Sequence, residues 1–209
     1  MILTIFGATG MLGKQLVKQA LYKGHTVKAF GRNVFTAGLP EEENLELFQG
    51  ALFDEQQVLD AVSGSDAVLS ALGGSSDGVD KTRSLGMKNI VEQMTKARVS
   101  RIVAVGGMGC LDAGPGQLIM DTKGFPPQFI PVSREHLAAY KLLSDSTLAW
   151  TFVCPPDLID AAATGHFHTA ANSTPEASIY KINTGDLALF MLNEVEKNDY
   201  LLQRVGISN

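Results

Sequence analysis

The tightest constraint on this chain sits at its start. The apolar run Ile2–Phe6 passes without interruption into Gly7-Ala8-Thr9-Gly10-Met11-Leu12-Gly13, and Leu12, Leu16 and Ala20 then recur at four-residue spacing. A strand, a glycine turn and an amphipathic helix in that order admit few folds, because a strand that feeds a helix so abruptly belongs to a β-α-β unit. Glycines at G-x-x-G-x-x-G spacing also have a chemical reading. They allow a sharp turn and a close backbone approach, and the helix start offers free N–H groups to an anion such as a dinucleotide pyrophosphate. Residues Gly7, Ala8, Thr9, Gly10, Met11, Leu12 and Gly13 are therefore candidate cofactor contacts.

The rest of the chain repeats the opening pattern. Strand-like runs are expected at 26–30, 45–48, 67–72, Arg101–Val105 and Ala149–Cys154, with helical stretches between them; Met87, Ile90, Val91 and Met94 share one helix face. Asp54 followed by Gln57 reads as a capping box, and Gly24 as a left-handed helix stop. Nearly continuous apolar strands separated by helices predict an α/β fold, a doubly wound parallel sheet covered on both faces. The whole chain, 1–209, reads as one such domain. A small C-terminal elaboration follows Cys154: weak runs near 167–171 and 178–182, a helix over 184–194 and a last strand near 200–205. Residues 106–131 break the rhythm. That segment is rich in Gly and Pro yet carries Met108, Leu118, Ile119, Met120, Phe125 and Phe129, which suggests an apolar lid or wall.

Composition removes several classes of function. With Lys+Arg 17 against Asp+Glu 22 the net charge is −5, and there is no basic tract, so a nucleic-acid partner is not expected. No apolar run is long enough to span a bilayer, and the N-terminus shows no export signal, so the expected location is cytoplasmic, as a monomer or small homo-oligomer. Cys110 and Cys154 sit in no metal or redox spacing and are expected to be reduced thiols. His166-Phe167-His168 fits alternation on an edge strand better than a metal site.

Where an NAD-binding strand would end on a carboxylate, this chain has Gly31-Arg32. Arg32 suits a ribose 2′-phosphate, which favours NADP (NADPH) over NAD. Ala71-Leu72-Gly73-Gly74 and Gly106-Gly107 follow further strands and would clear a path for the same cofactor.

Taken together, Gly7–Gly13, Gly31-Arg32, Ala71–Gly74, the run from Ser146 to Pro155-Pro156, and Asn183-Thr184-Gly185-Asp186-Leu187-Ala188 resemble the atypical short-chain dehydrogenase/reductases. The similar branch is the NAD(P)H-binding one that includes biliverdin reductase B, a flavin reductase, and nitrogen-metabolite-repressor-like proteins. The resemblance implies a Rossmann-type fold and adds Ala51, Leu52 and Pro155 to the cofactor contacts. This chain departs from the superfamily at its chemistry: Tyr-x-x-x-Lys falls on Val132-x-x-x-His136, the usual serine on Gly106 or Gly107, and Gly-Asp on Gly50-Ala51. A helix over 133–143 then carries His136 and Tyr140, four apart and so on one face. The resemblance places that face beside the nicotinamide, His136 toward its ribose and Tyr140 toward a flat substrate. The implied activity is NADPH-dependent reduction of a flavin or other planar, quinone-like acceptor. The alternative is a redox sensor that binds NADP(H) without turning it over.

Overall fold

The computed structural model describes residues 1–209. In chain order it contains β1 (Ile2–Phe6), α1 (Met11–Tyr22), β2 (Thr26–Gly31), β3 (Leu45–Gln49), α2 (Glu55–Val62), β4 (Ala67–Ser70), α3 (Thr82–Ala97) and β5 (Arg101–Val105). The second half adds β6 (Asp112–Gly114), β7 (Gln117–Leu118), α4 (Ile130–Ser144), β8 (Ala149–Cys154), β9 (Asp157–Ile159), β10 (His168–Ala171), β11 (Lys181–Asn183), α5 (Thr184–Lys197) and β12 (Gln203–Ser208).

Eight strands form one sheet in the order β10-β12-β8-β5-β4-β1-β2-β3, parallel throughout except for β10 on its edge. From β1 the strand order runs outward in both directions, to β2 and β3 on one side and to β4, β5 and β8 on the other. That reversal opens a crevice beyond the carboxyl ends of β1 and β4. Each face is covered, which is why the strands read as unbroken apolar runs. Leu3 and Ile5 pack with α1 and α5 residues such as Leu16, Val17, Leu187 and Met191. Phe6, Val68, Ile102 and Phe152 pack on the opposite face with Val58, Ile90, Met94 and Leu143 of α2, α3 and α4. Thr4 is fully buried between them, and its hydroxyl is satisfied by the Ala61 carbonyl at 2.8 Å.

Local signals explain most boundaries. Gly24 adopts φ +81° after α1, and the His25 N–H closes back on the Ala20 carbonyl at 3.0 Å. Asp54 caps α2 through the Gln57 N–H at 2.9 Å, but Gln57 does not complete the reciprocal bond expected of a capping box. Its side-chain oxygen instead accepts the Ala51 N–H at 2.7 Å. At α5, Asp186 is fully buried and accepts the N–H groups of Thr164 and Gly165 at 2.7 and 2.8 Å, so this helix start anchors the preceding loop.

Several expected boundaries move. β4 stops at Ser70 rather than 72, since Ala71 and Leu72 already bend toward the crevice. Helix α4 begins at Ile130, with Pro131 in its first turn, three residues before the expected 133. The expected lid of residues 106–131 is a tied-down segment: three short 3-10 turns and the β6–β7 hairpin, with Cys110 and Leu111 fully buried. The final strand lies at Gln203–Ser208 instead of 200–205, and β9, unforeseen, pairs in parallel with β11. No helix is long and apolar enough to cross a membrane.

At the end of the sheet away from the crevice, Arg101 and Glu194 form a buried ion pair at 3.0 Å. The same Glu194 oxygen accepts the Thr151 hydroxyl and the Tyr200 N–H, each at 3.0 Å, so one carboxylate joins β5, β8, α5 and the turn before β12.

Candidate functional site

A cavity of about 1050 Å³ occupies the crevice at the carboxyl ends of β1, β2, β4, β5 and β8. Its floor is the glycine turn. Gly7 sits at φ +75°, and a side chain there would overlap the Ala71 carbonyl. A Cβ on Gly13 would overlap the Gly7 carbonyl, so this glycine sets how closely α1 approaches the turn. Gly10, the residue before α1, faces the cavity and has only the Gly7 oxygen near a hypothetical Cβ, at 3.4 Å. The N–H groups that follow belong to the first turn and have no intrahelical acceptor. This is a cradle that a side chain would fill, and its donor set fits a pyrophosphate.

The structure gathers most of the residues expected from the sequence around this one space. Gly7, Thr9, Gly10, Met11, Leu12, Arg32, Ala51, Leu52, Ala71, Leu72, Gly73, Gly106, Gly107, His136 and Pro155 all line it. Ala8 and Gly13 do not; both are buried behind the turn and shape it from inside. Arg32 stands exposed at one end with no ion-pair partner in the protein, as a 2′-phosphate ligand would need. At Ala51 and Leu52 two backbone groups are already engaged: the Ala51 N–H goes to Gln57 and the Leu52 carbonyl accepts from Asn89 at 2.9 Å. What they offer is apolar surface, extended by the exposed ring of Phe53.

At the opposite end the missing serine has a steric reason. A Cβ on Gly106 would overlap the buried Phe152 ring, and one on Gly107 would stand 3.0 Å from His136 Cδ2. Side chains from β8 and α4 have filled the space a serine would use. His136 faces the cavity and makes no side-chain hydrogen bond within the protein; burial, and then the nearby Arg83 charge, push its pKa down to about 3. The imidazole is therefore neutral at physiological pH, with one N–H to donate and one nitrogen to accept.

Because folded His136 refuses a proton that the unfolded chain takes up near 6.5, the folded state loses stability as pH falls from about 6.5 toward 3. His136→Gln is expected to flatten that limb of a urea-unfolding pH series and to leave the slope above pH 7 unchanged; parallel slopes for both proteins on the acid limb would contradict it.

Tyr140 corrects the sequence expectation. It lies outside the cavity, with ring centroids 5.6 Å from both Trp150 and Phe152 and the Arg204 guanidinium 5.2 Å from its own. Four residues along α4 carry it past the cavity rim to where the helix covers β8. Its role is packing.

Met108, Phe125 and Phe129 of the 106–131 segment line one end of the cavity, together with Pro126, Val132 and Ser133, so the segment forms the apolar wall expected of it. Asp157 lines the mouth, whereas Asp160 does not. Arg83, in the first turn of α3, is 9% exposed and borders the same space. Its two terminal nitrogens donate to the carbonyls of Ser75 at 2.9 Å and Gly74 at 3.0 Å. Cys110 and Cys154 are free and buried; burial pushes the Cys110 thiol up to about 12 and the Cys154 thiol well above its usual range, so neither supplies a thiolate.

Comparison with known proteins agrees with this geometry. Residues 7–198 match the family model described as NAD(P)H-binding. A Burkholderia pseudomallei structure assigned as an exported protein is 33% identical, with full coverage of both chains and a TM-score of 0.86. A Streptococcus pneumoniae structure assigned as an NADH-flavin reductase is 27% identical over 100% of this chain and 99% of that one, with a TM-score of 0.85. The Bacillus subtilis protein YwnB is 26% identical over 211 residues, 97% of this chain and 96% of its own.

Proposed function

This chain belongs to the NAD(P)H-binding family, and from that premise we propose that it is an NADPH-dependent reductase delivering hydride to a flavin or another flat, quinone-like acceptor. The observation that carries the reading is one continuous cavity: it runs from a pyrophosphate cradle at Gly7–Leu12 to an apolar end walled by Met108, Phe125, Phe129 and Val132 with a neutral His136. The name given to the pneumococcal relative, an NADH-flavin reductase, supports the flavin acceptor, while the NADPH preference rests on Arg32.

The reduced nicotinamide supplies the hydride when bound. The protein's part is placement and exclusion of water. The glycine turn and the α1 N-terminus would hold the phosphates, Arg32 would take the 2′-phosphate, and Leu52 and Phe53 would offer apolar surface to the adenine. His136 donates or accepts one hydrogen bond at the acceptor end and keeps its own proton inventory unchanged. With His136 neutral, protonation of the acceptor falls to water. Flat ring systems tolerate that, because orientation and stacking carry most of the demand.

Purified protein should consume NADPH, followed by its nicotinamide absorbance, with FMN, FAD or a quinone well above background. Tight NADPH binding with no acceptor turned over would overturn the reductase and favour a sensor, a second reading supported by Val132 and His136 standing where Tyr and Lys would be. Arg32→Ala should weaken NADPH binding about tenfold or more, given the roughly 1.5–3 kcal/mol typical of a hydrogen bond to a charged group, and leave NADH binding nearly unchanged. Equal losses for both cofactors would remove the 2′-phosphate assignment.

A further inference from the structure

Three guanidinium groups are buried or nearly so, and their Nε–H groups all lack a protein partner: Arg83, Arg101 and Arg204. Two of them are neutralised in place, Arg101 by Glu194 at 3.0 Å and Arg204 by Asp112 at 2.8 Å. Arg83 is different. No carboxylate lies within 4.0 Å of it, and its terminal nitrogens are held by the backbone carbonyls of Gly74 and Ser75. Asp80 and Glu135 act on it only from farther away. The Asp80 oxygens are engaged by the N–H groups of Thr82 at 2.7 Å and Ser75 at 3.1 Å, and Glu135 is held by Lys81 and Ser84, each at 2.7 Å.

A buried cation without a contact partner is costly, and proteins resolve that cost by pairing it. Here the residue itself borders the cavity, and its positive charge is felt at His136, which lines the same space. The phosphates of the cofactor are already provided for by the glycine turn and Arg32, which line other parts of the wall. We infer that Arg83 recognises an acidic group on the acceptor, so that the preferred substrates of this cavity are planar anions and Arg83 sets that preference. The inference rests on the reductase reading for what occupies the apolar end.

The two carbonyl bonds give Arg83 its orientation. They use two of its five N–H groups and fix the guanidinium plane, so the remaining N–H groups and the positive charge are what a ligand's anionic oxygen would meet in a charge-assisted hydrogen bond. The apolar rings of Phe125 and Phe129 on the same cavity wall suit the flat body of such a molecule.

The test uses anthraquinone-2-carboxylate and its carboxamide, two planar quinones that differ only in charge at one group. Calorimetric titration of the full chain saturated with oxidised NADP measures each without turnover. The wild type should bind the carboxylate about tenfold more tightly than the amide. Arg83→Gln should bring the two affinities together, and Arg83→Lys should keep part of the difference. Loosening of the Gly74–Ser75 loop alone would weaken both ligands equally, so the ratio separates recognition from support. Equal affinities in the wild type overturn the inference even if neither variant folds. So does a ratio unchanged in Arg83→Gln, and a tenfold loss of NADPH affinity beside an unchanged ratio would hand the residue to the cofactor instead. If the wild type discriminates the pair but consumes no NADPH with either, the reductase reading fails while Arg83 keeps its role.

Discussion

Alanine at Gly13 is expected to destabilise the protein, whereas alanine at Gly10 is expected to spare stability and weaken cofactor binding. The two glycines stand three residues apart in the same turn, yet their surroundings differ. A methyl on Gly13 overlaps the Gly7 carbonyl and comes within 2.7 Å of Ala8 Cα, both backbone atoms that cannot rotate away. Helix α1 must then lift from the turn, against the packing of Leu12, Leu16 and Val17. Overpacking of this kind costs about 1–3 kcal/mol, which in a chain of this size lowers the unfolding temperature by roughly 2–4 °C per kcal/mol. NADPH binding falls with it, because the cradle changes shape. On Gly10 the methyl meets only ordinary contact at 3.4 Å and points into the cavity. Its unfolding temperature should match the parent, while NADPH affinity drops roughly tenfold or more, the equivalent of about 1.4 kcal/mol. Thermal unfolding and NADPH titration of both variants decide the matter; a stable Gly13→Ala protein with full affinity would refute the packing role.

Removing Glu194 is the second large effect. The Glu194→Ala variant leaves the Arg101 guanidinium buried without its carboxylate and also strips an acceptor from Thr151 and the Tyr200 N–H. Breaking one side of a buried pair costs about 3–5 kcal/mol. The double variant Arg101→Met/Glu194→Leu removes both charges and should recover a large part of that loss, since apolar replacements of similar volume are often neutral. Urea unfolding of the parent, the single and the double variant gives the comparison. A double variant as unstable as the single would mean that the hydroxyl and amide bonds, not the charges, carry the effect. NADPH binding should survive in all three, because the cluster lies at the other end of the strands.

The parts of this fold written into local sequence were readable from it. A strand buried on both faces must be apolar along its whole length, so Ile2–Phe6 and Arg101–Val105 announced themselves; the Gly7–Gly13 spacing did the same for the cradle. Asp54 and Gly24 worked as start and stop signals because capping is a matter of a few adjacent atoms. The 106–131 segment was legible as an apolar wall, but its secondary structure was opaque for the converse reason. Its turns and strands are two or three residues long, too short to carry a period. Tyr140 shows the limit of helical spacing: two residues four apart share a side of the helix, but a helix seated on a cavity rim can show one to the cavity and the other to the core. Arg83 gave no signal at all, since its meaning depends on which carboxylates fail to reach it in space. Ala51 was placed correctly, but its N–H had been claimed by Gln57, a bond visible only once α2 is docked.

The ring of Phe152 beneath Gly106 limits which substitutions are open there. Serine at 106 cannot be introduced by one substitution, because its Cβ would enter a buried ring that also packs against Tyr140. A smaller residue must appear at 152 first, and that intermediate would carry a hole in the core with no hydroxyl yet to show for it. Phe→Ala in a core costs about 3–5 kcal/mol, a large share of the stability of an ordinary domain. The rings and charges around the cavity are thus free to vary, while a hydroxyl at 106 is closed to any single substitution. Anyone engineering that hydroxyl in would have to change both positions at once.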